Sequence, residues 1–177
     1  MNAAAPSSDV PLLKTVTLTY SKGEDRIRLD GADIEGKTQT LWLTARLLNA
    51  LVPHLTARQV NLPLAFSNPR AAHTPTVLDS DVPDFPSENS RAVQCAPGSP
   101  EALVMSVDLT PQESQLMLVF KDSAGRQCAA LAMPHEVLRQ WNCGLRQCFE
   151  HAGWSQLAFQ SQSQVAEQAG RGATTIH

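Results

Sequence analysis

Five side chains of the types that bind zinc lie close together in the sequence: Cys128, His135, Cys143, Cys148 and His151. Structural zinc sites usually rely on a tight Cys-x2–4-Cys knuckle that brings two thiolates to one ion. Cys143 and Cys148 are five positions apart, which on a helix separates them by about 140°. Cys148 continues an apolar helical stripe, where cysteine behaves as a small hydrophobic residue. The sequence therefore predicts free thiols and no metal, and a metal-dependent protein stays an alternative.

Other motifs that carry chemistry are missing or incomplete. There is no Gly-x-Ser-x-Gly nucleophile turn and no glycine-rich phosphate loop. Asp79, Asp81 and Asp84 resemble part of a calcium loop, but the turn glycine and the final acid of an EF-hand loop are absent and Pro83 interrupts the run. We interpret this stretch as a solvated acidic loop. The sequence therefore predicts no cofactor and favours a protein that is not an enzyme.

Charge and hydropathy restrict the partners. The 177 residues carry a net charge of −3 and no basic stripe of the kind that binds a phosphate backbone, so we expect no nucleic acid partner. No run of about 18 apolar residues and no export signal is visible, so we expect no membrane partner. Four cysteines without paired spacing suit a reducing compartment. We expect a soluble, cytoplasmic protein.

An internal repeat organises the chain. When the sequence is shifted by 89 residues, the alternating stretch 16–20 aligns with 105–109. The same shift aligns Asp33-x-x-Gly36 with Asp122-x-x-Gly125, and we expect both to form hairpin turns in which glycine supplies a positive φ. Stretch 116–120 is apolar at every position, which predicts a strand covered on both faces.

Each copy continues into an amphipathic helix. Thr44 is expected to cap the first helix, and Pro134 suits the start of the second. Pro53 removes a backbone donor from the first helix, so we expect a kink or a restart there. Gly153 is placed to end the second helix in a left-handed conformation.

The predicted fold is α+β, with two diverged β-β-β-α repeats that form a mostly antiparallel sheet system with two main helices. A proline-rich acidic segment separates the repeats, and a polar tail follows the second; residues 157 and 159 of that tail could add a short strand. The predicted divisions are an N-terminal extension (1–13), the first repeat (14–60), the connecting segment (61–103), the second repeat (104–154) and the C-terminal tail (155–177).

The leading functional hypothesis is a non-enzymatic interaction protein, an accessory or assembly subunit of a larger complex. Trp42 points away from its neighbours Leu41 and Leu43 in their strand, so it faces either a partner or the connecting segment. We expect a protein partner to contact the first repeat and the segment that follows it. The candidate partner-binding residues are Trp42, Arg26, Arg28, Phe66 and Phe85.

The alternative is a small-molecule-binding protein or an enzyme that uses a groove between the two repeats. Cys128, His135 and Arg139 are the candidate lining residues. A deep cavity with convergent polar groups would favour this alternative, and a filled core would favour the first hypothesis. A homo-oligomer is possible in either case.

Overall fold

The structure is a computed structural model that describes residues 10–60, 92–160 and 174–177. It is a mixed α and β fold with two helices and one sheet of eight strands in the order β4-β3-β2-β1-β7-β6-β5-β8, as far as these residues show. The elements are β1 (Leu12–Ser21), β2 (Arg26–Asp33), β3 (Thr38–Leu43), α1 (Ala45–Val60), β4 (Glu101–Leu103), β5 (Ser106–Pro111), β6 (Gln115–Lys121), β7 (Gln127–Pro134), α2 (His135–Ala152) and β8 (Thr174–Ile176). Within the described ranges, neither helix is long and apolar enough to cross a membrane.

Two antiparallel three-stranded sets lie side by side in this sheet. Strands β1, β2 and β3 form one set, and β5, β6 and β7 form the other. The sets join where β1 runs parallel to β7, through Leu12 opposite Ala130 and Leu13 opposite Leu131. The sheet is therefore mostly antiparallel, with short parallel seams.

The second seam makes the sheet curve. Strand β4 pairs in parallel with β3, and β5 follows β4 after only two residues. The amide of Val104 donates to the carbonyl of Trp42 in β3 at 3.0 Å, whereas the amide of Met105 donates to the carbonyl of Lys121 in β6 at 2.8 Å. Val104 and Met105 thus bond to strands from the two halves of the sheet. The sheet must therefore curl until β3 and β6 lie on either side of these two residues.

Alternation along the strands directs one row of side chains into the core. Ile27 and Leu29 of β2 are fully buried, and they lie opposite Leu43 and Leu41 of β3. A register shift between Leu13 and Thr15 inserts one extra residue into β1. Because of this bulge, Leu13 and the apolar row that begins at residue 16 both pack on the core. Both helices cover this face with their own buried leucines.

The predicted helix ends are largely confirmed. The Thr44 hydroxyl accepts from the amide of Leu47 at 3.2 Å, and Pro134 is the N-cap residue of α2. Gly153 ends α2 with φ of 67°. The helix does not restart at Pro53, because α1 continues through that residue.

The predicted hairpin turns are confirmed in both halves. Gly36 and Gly125 have φ of 79° and 75°. In each turn the aspartate side chain accepts two backbone amides, and Asp33 and Asp122 play the same part. Glycine can adopt the positive φ that these turns need, and the short aspartate side chain can accept amides of its own turn. Both requirements involve neighbouring residues, so the sequence alone predicts this motif.

Two local expectations are wrong. Strand β6 alternates between buried and half-buried residues, so Met117 and Val119 are not covered as a strand buried on both faces would require. The tail forms a short 3-10 helix at Gln156–Phe159 instead of a strand, and the last strand lies further on, in β8. Strand β4 falls within the stretch that the sequence assigned to the connecting segment.

Candidate functional site

The outer face of the sheet, opposite the helices, carries a group of polar and aromatic side chains on the first set of strands. Arg26, Arg28 and Asp30 alternate with the core residues of β2, so all three share this face. Arg28 pairs across the ladder with Trp42, and Asp30 pairs with Thr40. The structure therefore brings together the predicted residues Arg26, Arg28 and Trp42.

Asp30 is a nearly buried carboxylate, with only 8% of its surface exposed. Its Oδ1 atom accepts from Arg28 Nε at 2.8 Å, from the Thr40 hydroxyl at 2.6 Å and from the Cys95 thiol at 3.2 Å. The bond to Asp30 raises the pKa of the Arg28 guanidinium above its ordinary value. Because this buried carboxylate accepts from three donors, its position is fixed. Its bond to Nε therefore holds the Arg28 side chain against the sheet.

Arg28 and Trp42 form the exposed part of the site. The guanidinium carbon of Arg28 lies 5.9 Å from the centroid of the Trp42 ring, within the range of a cation–π contact. Trp42 Nε1 donates to Glu101 Oε2 at 3.0 Å, which fixes the orientation of the indole. The Arg28 side chain remains 38% exposed. Arg26 lies beside this pair and forms a 3.5 Å ion pair with Glu24.

Apolar side chains extend the site along the seam strand. Leu103 lies directly opposite Trp42, and Met105 is the next exposed apolar residue along the chain. Their exposed fractions are 38% and 43%, which are high for side chains of this size. We call Arg28, Trp42, Leu103 and Met105 together the tryptophan face.

Part of the outer face is covered by the chain that leads into β4. The amide of Val93 donates to the Thr17 hydroxyl at 2.9 Å, and Cys95 reaches Asp30 as described above. Ser99 lies 2.9 Å from the Thr38 hydroxyl. Trp42 remains half-exposed beyond this cover. Phe66 and Phe85, the other predicted members of the site, lie outside the described residues, as does the rest of the cover expected from the connecting segment.

A separate open cleft of about 350 Å³ lies where the starts of β3 and β4 meet the turn between β6 and β7. Glu101, Arg126 and Cys128 line it, together with Gln39 and Gln127. Within the described part of the chain, Gln39 Nε2 and Gln127 Oε1 are buried and have no hydrogen-bond partner. Two residues of the cleft lining therefore carry a buried donor and a buried acceptor that lack a partner within the described residues.

The three predicted groove residues do not meet. Cys128 lines the cleft near the start of β7, whereas His135 begins α2 immediately after the opposite end of that strand. Seven residues of extended chain separate them by about 23 Å. Arg139 lies one helical turn beyond His135 and is exposed.

The Cys128 thiol of the cleft is not activated as a nucleophile. Burial, reinforced by the nearby charge of Asp122, raises the pKa of the Cys128 thiol, so this cysteine is protonated at neutral pH and is a poor nucleophile. All four cysteines are free, as predicted, and Cys148 is buried. Among the residues with described positions, no group of three or more His, Cys, Asp or Glu side chains could hold a metal ion.

Asp30, Cys95, Leu103 and Met105 are members of the site that sequence reasoning missed. The only sequence signal for Asp30 is the spacing Arg28-x-Asp30 on an alternating strand, which places both charges on one face. Cys95 comes from 65 residues away in the sequence, and no pattern connects it with Asp30.

No family model, no curated protein and no solved structure matches this chain. The geometry of the site is therefore the basis for its functional interpretation.

Proposed function

We propose that this chain is a non-enzymatic interaction protein that binds a protein partner through the tryptophan face. The observation that carries the proposal is the half-exposed Arg28–Trp42 pair, which is held from beneath by the buried Asp30 carboxylate. Tryptophan and arginine are the residues most enriched at the energetic centres of protein interfaces. Because both side chains are already held in place, binding costs little of their conformational entropy.

The chemistry of the face suggests the chemistry of the partner. Leu103 adds exposed apolar surface beside the indole. Met105 adds more two residues further along the chain, and methionine adapts its shape to different partners. Arg26 and Arg28 lie on the same face and favour a carboxylate. We therefore expect the partner to insert an apolar side chain next to Trp42 and to place an acidic group near the arginines.

We infer that the two halves of the chain arose as repeats, and the strand registers support this inference. At one seam Leu12 lies opposite Ala130, and at the other Glu101 lies opposite Thr40. Glu101 is 89 residues after Leu12, and Ala130 is 90 residues after Thr40, so the two seams correspond. The pairs Ile27–Leu43 and Leu116–Met133 are displaced by the same amounts.

The first strand needs a different displacement from the one used in the sequence alignment. Val16 lies opposite Gly31, and Val107 lies opposite Phe120, the residue 89 positions after Gly31. Val16 therefore corresponds to Val107, at a displacement of 91, and not to Met105. Six residues separate the paired Tyr20 and Ile27, whereas four separate the equivalent pair Pro111 and Leu116, and this two-residue difference accounts for the change in displacement.

This correspondence supports a binding role for the first half. At the positions equivalent to Arg28 and Trp42, the second half has Met117 and Ala132. A fold that needed an arginine and a tryptophan at these places for stability alone would be expected to keep them in both halves. The tryptophan face is thus an addition to the repeat, as expected of a functional surface.

Replacing Trp42 by alanine is expected to weaken partner binding by about 2 kcal/mol, or roughly 30-fold, because an anchor side chain would be lost. The full chain serves as bait in a lysate of its native host, and the captured partner is then purified for titration calorimetry. The control is Val137→Ala, which removes an exposed apolar side chain from α2. If Trp42→Ala binds the partner as tightly as wild type does, the proposal is wrong.

The cleft supports a second candidate function, the binding of a small polar ligand. The buried Gln39 Nε2 and Gln127 Oε1 atoms match a ligand group that offers an acceptor next to a donor, such as an amide. We expect a compound of this kind to raise the melting temperature of the wild type and to bind about tenfold more weakly to Gln39→Leu. Gln140→Leu, at an exposed site on α2, is the control. A screen of amides, amino acids and nucleosides that stabilises neither protein would exclude this function.

A further inference from the structure

The last described strand occupies a distinct slot in the sheet. Strand β8 pairs antiparallel with β5, with Ile176 opposite Val107 and Thr175 opposite Asp108. The Ile176 side chain is 5% exposed and belongs to the core, and the Thr175 hydroxyl donates to Asp108 Oδ1 at 2.7 Å. Strand β8 also contacts α1, so it fills the space beside β5 on the side of that helix.

The equivalent place in the first half is built differently. Val16 and Leu18, which correspond to Val107 and Leu109, are half-buried, and no strand lies beside them in the described residues other than β2. There α2 contacts β1 directly, and Gly144 lies close to Leu18 Cδ1: a Cβ atom on that glycine would be 3.6 Å away. One half therefore closes this gap with a helix, whereas the other half leaves a slot for a strand.

We propose that the slot beside β5 is a strand-acceptor site that binds an extended segment of a partner protein in exchange for β8. The segment would pair with Val107, Asp108 and Leu109 as β8 does. It would carry an apolar side chain that enters the core opposite Val107, and a hydroxyl side chain opposite Asp108. This surface is separate from the tryptophan face and goes beyond the function proposed above.

The contacts of β8 explain why such exchange is feasible. The ladder covers three of the six residues of β5, and its side-chain contacts include the buried Ile176 and the Thr175 hydroxyl. Burial of one isoleucine stabilises by about 1.5–3 kcal/mol. Attachment to the same chain raises the local concentration of β8 to roughly millimolar, which a partner strand with a longer ladder can overcome.

The test uses a fluorescent peptide with the sequence of residues 171–177 and the full-length chain. In Ile176→Asp, a buried carboxylate should expel the chain's own strand and leave the slot open. We expect this variant to bind the peptide at least tenfold more tightly than the wild type does, and circular dichroism confirms that it is folded. A peptide carrying Ile176→Asp should not bind. Ile34→Asp, at a side chain that is 82% exposed, should behave like the wild type.

A second variant tests the same site without opening it. Asp108→Cys with Thr175→Cys places two thiols opposite each other, and their oxidation would lock β8 in the slot. Peptide binding is expected in the reduced protein and should be lost on oxidation. Equal binding in both states, or a folded Ile176→Asp protein that does not bind, would overturn the proposal. Trp42→Ala should bind the peptide like the wild type. If the strand-acceptor proposal is overturned, the proposed function of the tryptophan face is therefore unaffected.

Discussion

Replacement of Asp30 by alanine is expected to lower the free energy of unfolding by about 2–4 kcal/mol. The carboxylate is nearly buried and accepts from Arg28, Thr40 and Cys95, so its removal leaves three donors without their acceptor. Arg28 is partly exposed and can recover some hydration, which places the cost below that of a fully buried ion pair. Urea denaturation followed by circular dichroism measures the change.

Two further variants separate the charge pair from a general effect of losing a carboxylate. Glu113→Ala, at an exposed position, should change stability by less than about 0.5 kcal/mol. The double replacement Arg28→Met with Asp30→Leu should recover part of the loss, because apolar groups of similar size leave no unpaired charge. A stability of Asp30→Ala within 0.5 kcal/mol of the wild type would show that the carboxylate is not an anchor.

Gly31→Val is expected to destabilise the protein by about 1–3 kcal/mol through overpacking at the β1–β7 seam. A Cβ atom at Gly31 would lie 2.6 Å from Leu13 Cδ1, and Leu13 is 1% exposed, so it has little room to move. Leu13 also provides one of the two residue pairs that join β1 to β7. Thermal and urea unfolding should both report the loss.

The glycine prediction has an internal control in the same hairpin. Gly23 has nothing within 4 Å of its Cβ position, so Gly23→Val should be much less harmful. Adding Leu13→Ala to Gly31→Val should cost less than the sum of the two separate changes, since the smaller side chain makes room for the valine. Strict additivity would contradict the proposed clash.

The sequence was informative where contacts are local. Hairpin turns at Asp33 and Asp122 and the helix ends at Thr44 and Gly153 depend on residues within a few positions of one another, so their patterns are visible in the chain. The same applies to the face of Trp42, which alternation alone assigns.

The remainder depends on contacts between distant residues. Trp42 meets Leu103 across the β3–β4 seam, and Cys95, which lies within the connecting segment, reaches Asp30. No sequence pattern predicts either contact, because each joins two single residues that lie far apart in the chain. The helix that runs through Pro53 shows the opposite case, in which packing of buried leucines outweighs a local signal.

The seams also imply an order in which the molecule assembles and opens. Each hairpin set closes over a few residues, whereas the seams join residues 61 or more positions apart through two or three pairs. We expect the seams to form last in folding and to exchange their amide hydrogens first. Trp42 and Leu103 lie opposite each other across one seam. A partner that binds both side chains would therefore hold β3 and β4 together, and its binding would rigidify the whole curved sheet.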